Sequence, residues 1–312
     1  MVAIKETSAK GKATPTVPRM LIGKRLAALR ERAGLDLQAV ADYLGMHAQT
    51  VRRLEAAEGG SFKIPNVARV LELYLGDDKE KVAAFLADVN AANSPQWWEV
   101  FNKDVVPPYL KRLLSLEEAA ETIRGYAPQF IPDLLQTEEY TRAALQAQGI
   151  PPETVERRVD LNVLRQQRFH SGEGRRRFLE DKPQVLWLIL DETALRRAVG
   201  GRQVMRAQLE RLIGIAEAWE QKAAKASIRL LVLPHSAGPP LGMGEPCFLF
   251  RFRLHNLPDS VVRFTLEGGE YVEKGGIASA YLEALDRTNG RAIGFRDTPA
   301  FLREIQRDLW DG

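Results

Sequence analysis

A single cysteine stands in a chain of 312 residues. That scarcity excludes an intramolecular disulfide and a zinc site built on several thiolates. Cys247 lies in the apolar run CFLF, which reads as a strand with the thiol as a small buried hydrophobe. The four histidines, at 47, 170, 235 and 255, have no metal-ligand spacing, so no metal or cofactor is expected. No apolar run approaches the ~20 residues needed to cross a bilayer. The opening MVAIKETSAKGKATPTVP also lacks the apolar core of a secretion signal. Together these absences predict a cytoplasmic protein with no membrane contact. Charge of one sign is missing as well: Lys and Arg number 44 against 41 Asp and Glu. Any argument about partners therefore rests on where the charge sits.

What the chain does have is enough apolar residue, 45%, for packed cores, and a length beyond one typical domain. Its most organised stretch is GLDLQAVADYLGMHAQTVRRLE, Gly34 to Glu55. Asp36 is an N-cap residue opening a short helix with Val40, Ala41 and Leu44 on one face, and Gly45 supplies a tight break. A second helix from about His47 to Ala56 buries Val51 and Leu54, and the small Ala41 lets the pair cross closely. The free face of that helix carries His47, Ala48, Gln49, Thr50, Arg52 and Arg53, mostly long donors at the spacing a recognition helix presents to a major groove. The alternative is an ordinary helix pair with Arg52 and Arg53 as solvated charge.

This stretch resembles the Xre/Cro/C1 family of repressor-like DNA-binding domains, over about Met20 to Leu75. The resemblance implies a buried ion pair between Arg30 and Glu55. Leu37 and Ala48 replace glutamines common in that family, so readout shifts onto Gln49, Arg52 and Arg53, with Gln suited to adenine and Arg to guanine. Lys24 and Arg25 on the outer side of the first helix, and Lys63 in the long turn AAEGGSFKIP, are candidates for phosphate contact. From Arg19 to Glu72 nine Lys and Arg oppose six Asp and Glu, a modest excess for one module. It favours a homodimer on a palindromic double-stranded DNA operator.

In order, residues 1–18 read as a disordered tail, 19–76 as the helix-turn-helix domain and 77–94 as a connector helix. Residues 95–182 read as a helical segment, and 183–312 as an α/β regulatory domain. The expected fold is thus an all-α DNA-binding domain followed by an α/β domain of mixed sheet plus helices. Pro18 to Ala33 and a helix opened by Pro65 complete the first core. The aromatic stretch Trp97 to Tyr109 must bury a surface: inter-domain packing, a ligand box or a dimer interface. Leu116 to Gln148 reads as two helices broken by Pro128 and Pro132. Residues 152 to 170 form a charged helix with Val155, Val159, Val163 and Leu164 inward and Arg165 in a solvated basic series. The runs QVLWLILD and SIRLLVLP flank a helix, strands CFLFRFRL and SVVRFTL follow, and amphipathic helices end the chain.

The order WW, IRGYAPQFIPDLLQTEEYTRAAL, LWLILDETALRRAVGGRQVMRAQLERLIGIAE and IRLLVLPHSAG is similar to the DUF5753 domain that follows an Xre helix-turn-helix in actinobacterial regulators. The resemblance covers about residues 95 to 310, and it implies a transcriptional regulator with no known enzyme activity, often beside a small partner protein. A catalytic reading would need His235, Ser236, Glu245 and Cys247. No nucleophile elbow, Walker A loop or H-E-x-x-H accompanies them, so a non-enzyme is expected. Two modes of control stay open: a small-molecule effector in the α/β domain, or a small protein partner on its surface.

Overall fold

The computed structural model describes residues 15–58, 60–172, 184–221, 227–239, 244–252, 257–265, 268–272 and 276–310. Two compact units result: Met1–Asn102 with Val106–Leu116, and Lys103–Val105 with Glu117–Gly312.

The first unit is built on α1 (Val17–Arg32), α2 (Leu37–Leu44), α3 (Ala48–Glu55), α4 (Ile64–Leu75) and α5 (Lys79–Asn93). Asp36 caps α2 by accepting from the Ala39 amide at 2.8 Å. Gly45 ends it at φ 66°, a left-handed value that a side chain would make costly. Ile22, Leu26, Val40, Ala41, Leu44, Val51, Val67, Val70 and Leu71 form one core. That core also takes Phe85, Val89 and Ala92, so α5, expected as a connector, is a fifth helix of the domain. A stripe of apolar residues at helical spacing is the same signal in both roles.

The first helix also starts earlier than the expected tail allowed. Val17 and Pro18 are its opening turn, and the Val17 amide donates to Ser115 Oγ at 2.6 Å. Thr16, the N-cap of that helix, is buried too, and residues 1–14 of the expected tail lie outside the described residues. Within the aromatic stretch, Trp98 is fully buried and meets Trp97 edge to face at 5.4 Å between centroids.

The second unit carries a six-stranded mixed sheet in the order β3-β2-β1-β4-β5-β6. Its strands are β1 (Thr122–Ala127), β2 (Val185–Asp191), β3 (Ile228–Leu233), β4 (Cys247–Arg251), β5 (Ser260–Thr265) and β6 (Gly268–Val272). The first three run parallel; β4, β5 and β6 continue antiparallel. Parallel neighbours require crossovers. α7 (Glu138–Ala147) and α8 (Pro152–Ser171) join β1 to β2, and α9 (Glu192–Arg196) and α10 (Arg202–Glu220) join β2 to β3. α6 (Pro108–Ala119) precedes the sheet, and α11 (Ile277–Asn289) and α12 (Thr298–Trp310) follow it. α11 covers the face formed by Tyr126, Ile189, Leu231, Cys247, Leu249 and Val261.

Two expectations change here. The segment read as two broken helices contains β1, which pairs with both β2 and β4, so the sheet begins inside the stretch assigned to helices. Gly125 sits at its middle, opposite Phe248, where a Cβ would come within 2.7 Å of the Phe248 ring, so the glycine leaves room for that ring against β1. The inward face of α8 also differs: Leu161, Asn162, Arg165 and Phe169 are buried with Val155 and Val159. Arg165 leaves the solvated series because Glu117 receives its Nε at 2.8 Å and its Nη2, while Asp133 receives Nη1 at 3.0 Å. Burial pulls the Arg165 pKa down, but those two carboxylates more than offset it, and the guanidinium stays charged. The basic residues 175–177 lie outside the described residues.

Candidate nucleic-acid interface

The recognition helix is held by its inner face and displayed by its outer one. Val51 is fully buried, and Leu54 packs against the same core. On the other side His47, Gln49, Thr50, Arg52 and Arg53 are all exposed. α3 crosses α1 at Gly23, where an added Cβ would fall 2.2 Å from the Glu55 carbonyl oxygen. Sequence reading credited Ala41 with close helix crossing and missed Gly23, although a glycine inside a helix is a signal worth testing for such contacts.

Arg30 and Glu55 form the expected pair. Arg30 Nε and Nη2 donate to Glu55 Oε1 and Oε2 at 2.8 and 3.1 Å, and Nη1 donates to the Leu35 carbonyl at 3.0 Å. The fork ties three helical segments together: the end of α1, the turn before α2, and the end of α3. Hydrogen bonding to Glu55 raises the Arg30 pKa further, while burial and then the Glu55 charge raise that of Tyr74. Tyr74 Oη lies 3.5 Å from Glu55 Oε1, so α4 is joined to the same carboxylate.

The start of α3 is left open electrostatically. His47 is its N-cap without a side-chain cap bond, and the first turn has no acidic residue. The same holds for α4, where Lys63 is the N-cap and Pro65 lies in the first turn. The positive end of α4 therefore stands at exposed Lys63, an arrangement suited to phosphate oxygens, whereas exposed Arg53 belongs to the last turn of α3 and lies 3.9 Å from Glu58. A groove of ≈ 250 Å³ separates the two, lined by Thr50, Arg53, Leu54, Phe62 and Lys63 among others. Asn93 fixes its outer wall: it receives the Phe62 amide at 2.9 Å and donates to the Phe62 carbonyl at 2.8 Å.

Two of the phosphate candidates are placed less freely. Arg25 donates to Asp88 at 2.6 Å and stacks on Phe85 at 4.5 Å, so α5 neutralises a charge expected to face outward. Lys24 is half-buried on α1.

The catalytic alternative finds its residues in unlike surroundings. Cys247 is buried, and that burial pushes its thiol pKa up to about 12. His235, Ser236 and Glu245 are exposed. The His235 amide donates to Glu192 Oε2 at 2.7 Å and its Nε2 lies 3.1 Å from Thr193 Oγ1. Among the described residues no group of three or more His, Cys, Asp or Glu could hold a metal ion. None of the described helices is long and apolar enough to cross a membrane.

Comparison with known proteins agrees with this division. Residues 21–84 match a family described as a helix-turn-helix domain, and residues 110–304 match one described as a domain of unknown function, DUF5753. No curated protein and no solved structure matches the chain. Because the second match spans more than half of the 312 residues, the chain belongs to the DUF5753 family, with a helix-turn-helix domain in front.

Proposed function

We propose that the chain is a sequence-specific, double-stranded-DNA-binding transcriptional regulator of the Xre type, acting in the cytoplasm without catalytic activity of its own. The exposed row Gln49, Arg52 and Arg53 on α3 carries the reading, because it pairs donors suited to base edges with a helix end suited to phosphate. Replacing Arg52 or Arg53 by Ala costs ~1–3 kcal/mol on the cognate site if the residue reads a base edge. Gel-shift titrations on cognate and random duplexes check this. Equal loss on both demotes the residue to a phosphate contact, and wild-type binding by the triple alanine variant refutes the assignment.

A homodimer on a palindromic operator is part of the same proposal, since one module offers few phosphate contacts. Its half-sites lie ~34 Å apart or a multiple of that. Sedimentation tests it: a monomer that footprints one asymmetric half-site refutes dimerisation as the source of affinity. Trp98 of the aromatic stretch and the inner face of α12 are already used within the chain, so the dimer surface lies elsewhere on them or beside them. Leu302 and Ile305 of α12 are buried, and Gln306 bonds the Arg206 carbonyl of α10. Control is assigned to a small-molecule effector in the α/β unit. A protein partner on the surface of that unit is the competing reading, and the exposed side chain of Phe130 is available to it.

A further inference from the structure

Arg124, Trp187 and Arg229 stand in one cross-strand row, Arg124 opposite Trp187 on β1 and β2, and Trp187 opposite Arg229 on β2 and β3. Alternation along a strand puts all three on the sheet face that α11 covers, at the end where the parallel strands begin. Arg229 Cζ lies 3.8 Å from the Trp187 ring centroid and 5.0 Å from that of Phe295; Arg124 Cζ lies 5.0 Å from Trp187 on its other flank. Arg296 Cζ lies 5.7 Å from the Phe295 ring.

Three guanidiniums thus share two aromatic rings. Asp286 of α11 pairs with Arg124 at 2.7 Å, but among the described residues no carboxylate pairs with Arg229. Its Nε is buried without an acceptor, and so is the Trp187 indole Nε1. Burial, and next the neighbouring charge of Arg124, lower the Arg229 pKa, which is the cost of an uncompensated cation beside another.

Ordinary packing of a helix on a sheet does not call for this arrangement. A Leu or Met at 229 would fill the space without a charge. With its Cζ close to two rings and no carboxylate among the described residues paired to it, Arg229 has N–H groups left for a ligand, and the guanidinium fork is suited to a planar or tetrahedral oxyanion. We propose that the Arg124–Trp187–Arg229 row, with Arg296 at its margin, is the binding site of a small oxyanionic ligand, a carboxylate or phosphate whose charge offsets Arg229. The biological use of the site rests on the reading of this unit as an effector domain; the site itself does not.

The test titrates the full chain by calorimetry with citrate and with inorganic phosphate, against chloride at matched ionic strength. Saturable binding of at least one oxyanion is expected, with chloride inert, and the anion that saturates separates a carboxylate from a phosphate ligand. Arg229→Gln weakens it about tenfold or more. Arg296→Gln, at the edge of the cluster, weakens it measurably and covers the case in which Arg229→Gln does not fold. Arg303→Gln, on α12, leaves it unchanged. Binding that neither oxyanion saturates, or that persists undiminished in the Arg229 and Arg296 variants, overturns the site. Operator affinity measured with and without the anion is a separate readout: anion binding with unchanged operator affinity refutes effector control and leaves the site standing.

Discussion

Replacing Glu55 by Ala removes the acceptor of two charge-assisted hydrogen bonds and leaves Arg30 with the Leu35 carbonyl and, at 3.6 Å, the exposed Glu31 carboxylate. Side-chain exposures of 13% for Arg30 and 10% for Glu55 mean that little water can replace the carboxylate. Breaking a buried pair on one side costs ~3–5 kcal/mol, and the residual exposure places this case near the lower end, about 3 kcal/mol. Part of that is regained, because a glutamate at the last residue of α3 opposes the helix dipole by ~0.3–1 kcal/mol. The net expectation is about 2–3 kcal/mol, which for a domain of this size lowers the melting temperature by roughly 10 °C or more. Native-state hydrogen exchange on the full chain, read at the amides of α1 and α3, isolates this unit from the other. A second variant, Arg30→Met with Glu55→Met, restores most of the loss, since paired apolar replacements avoid the stranded charge. Unchanged protection in Glu55→Ala, or a double variant as weak as the single one, refutes the reasoning.

Arg165→Met strands the buried Glu117 carboxylate and lowers the stability of the α/β unit by ~3–5 kcal/mol, measurable as an earlier urea transition. Cys247 keeps its proton in the folded state up to about pH 12, whereas an exposed thiol ionises sooner. Its contribution to stability is therefore intact at neutral pH and fades as pH rises from the ordinary thiol range toward that value. At pH 8 a thiol reagent leaves the native chain unmodified and titrates one thiol after denaturation; fast native reaction contradicts the burial.

The helix-turn-helix was legible because its signals are local: Asp36, Gly45, and the apolar spacing of Val40, Leu44 and Val51 each act within a turn or two of helix. The parallel runs of β2 and β3 were legible for the same reason. β1 was not. TIRGYA holds a glycine and an arginine in six residues, and its burial comes from β2 and β4, whose partners Leu188 and Phe248 lie far along the chain. β6, GGEYV, is half-exposed and glycine-rich, so it lacks the alternation that marks a strand. Arg165 shows the limit in the site chemistry. It shares its helix with Arg157, Arg158 and Arg168 and with Glu156 and Asp160, which reads as a solvated face, and the carboxylate that buries it is 48 positions away. Arg30 and Glu55, 25 positions apart, came only from the family resemblance.

The two bonds between Asn93 and the Phe62 backbone make the loop after the recognition helix a passenger of the last turn of α5. If that turn unwinds, both bonds go together, and Phe62 loses the support that keeps its ring in the core. Lys63, the next residue, would then carry its charge on a floating tether instead of a fixed mount. The cost of ordering it again would be charged to every DNA encounter. The end of α5 thus sets how much entropy the protein must surrender to grip a phosphate, although no atom of that helix turn need touch DNA.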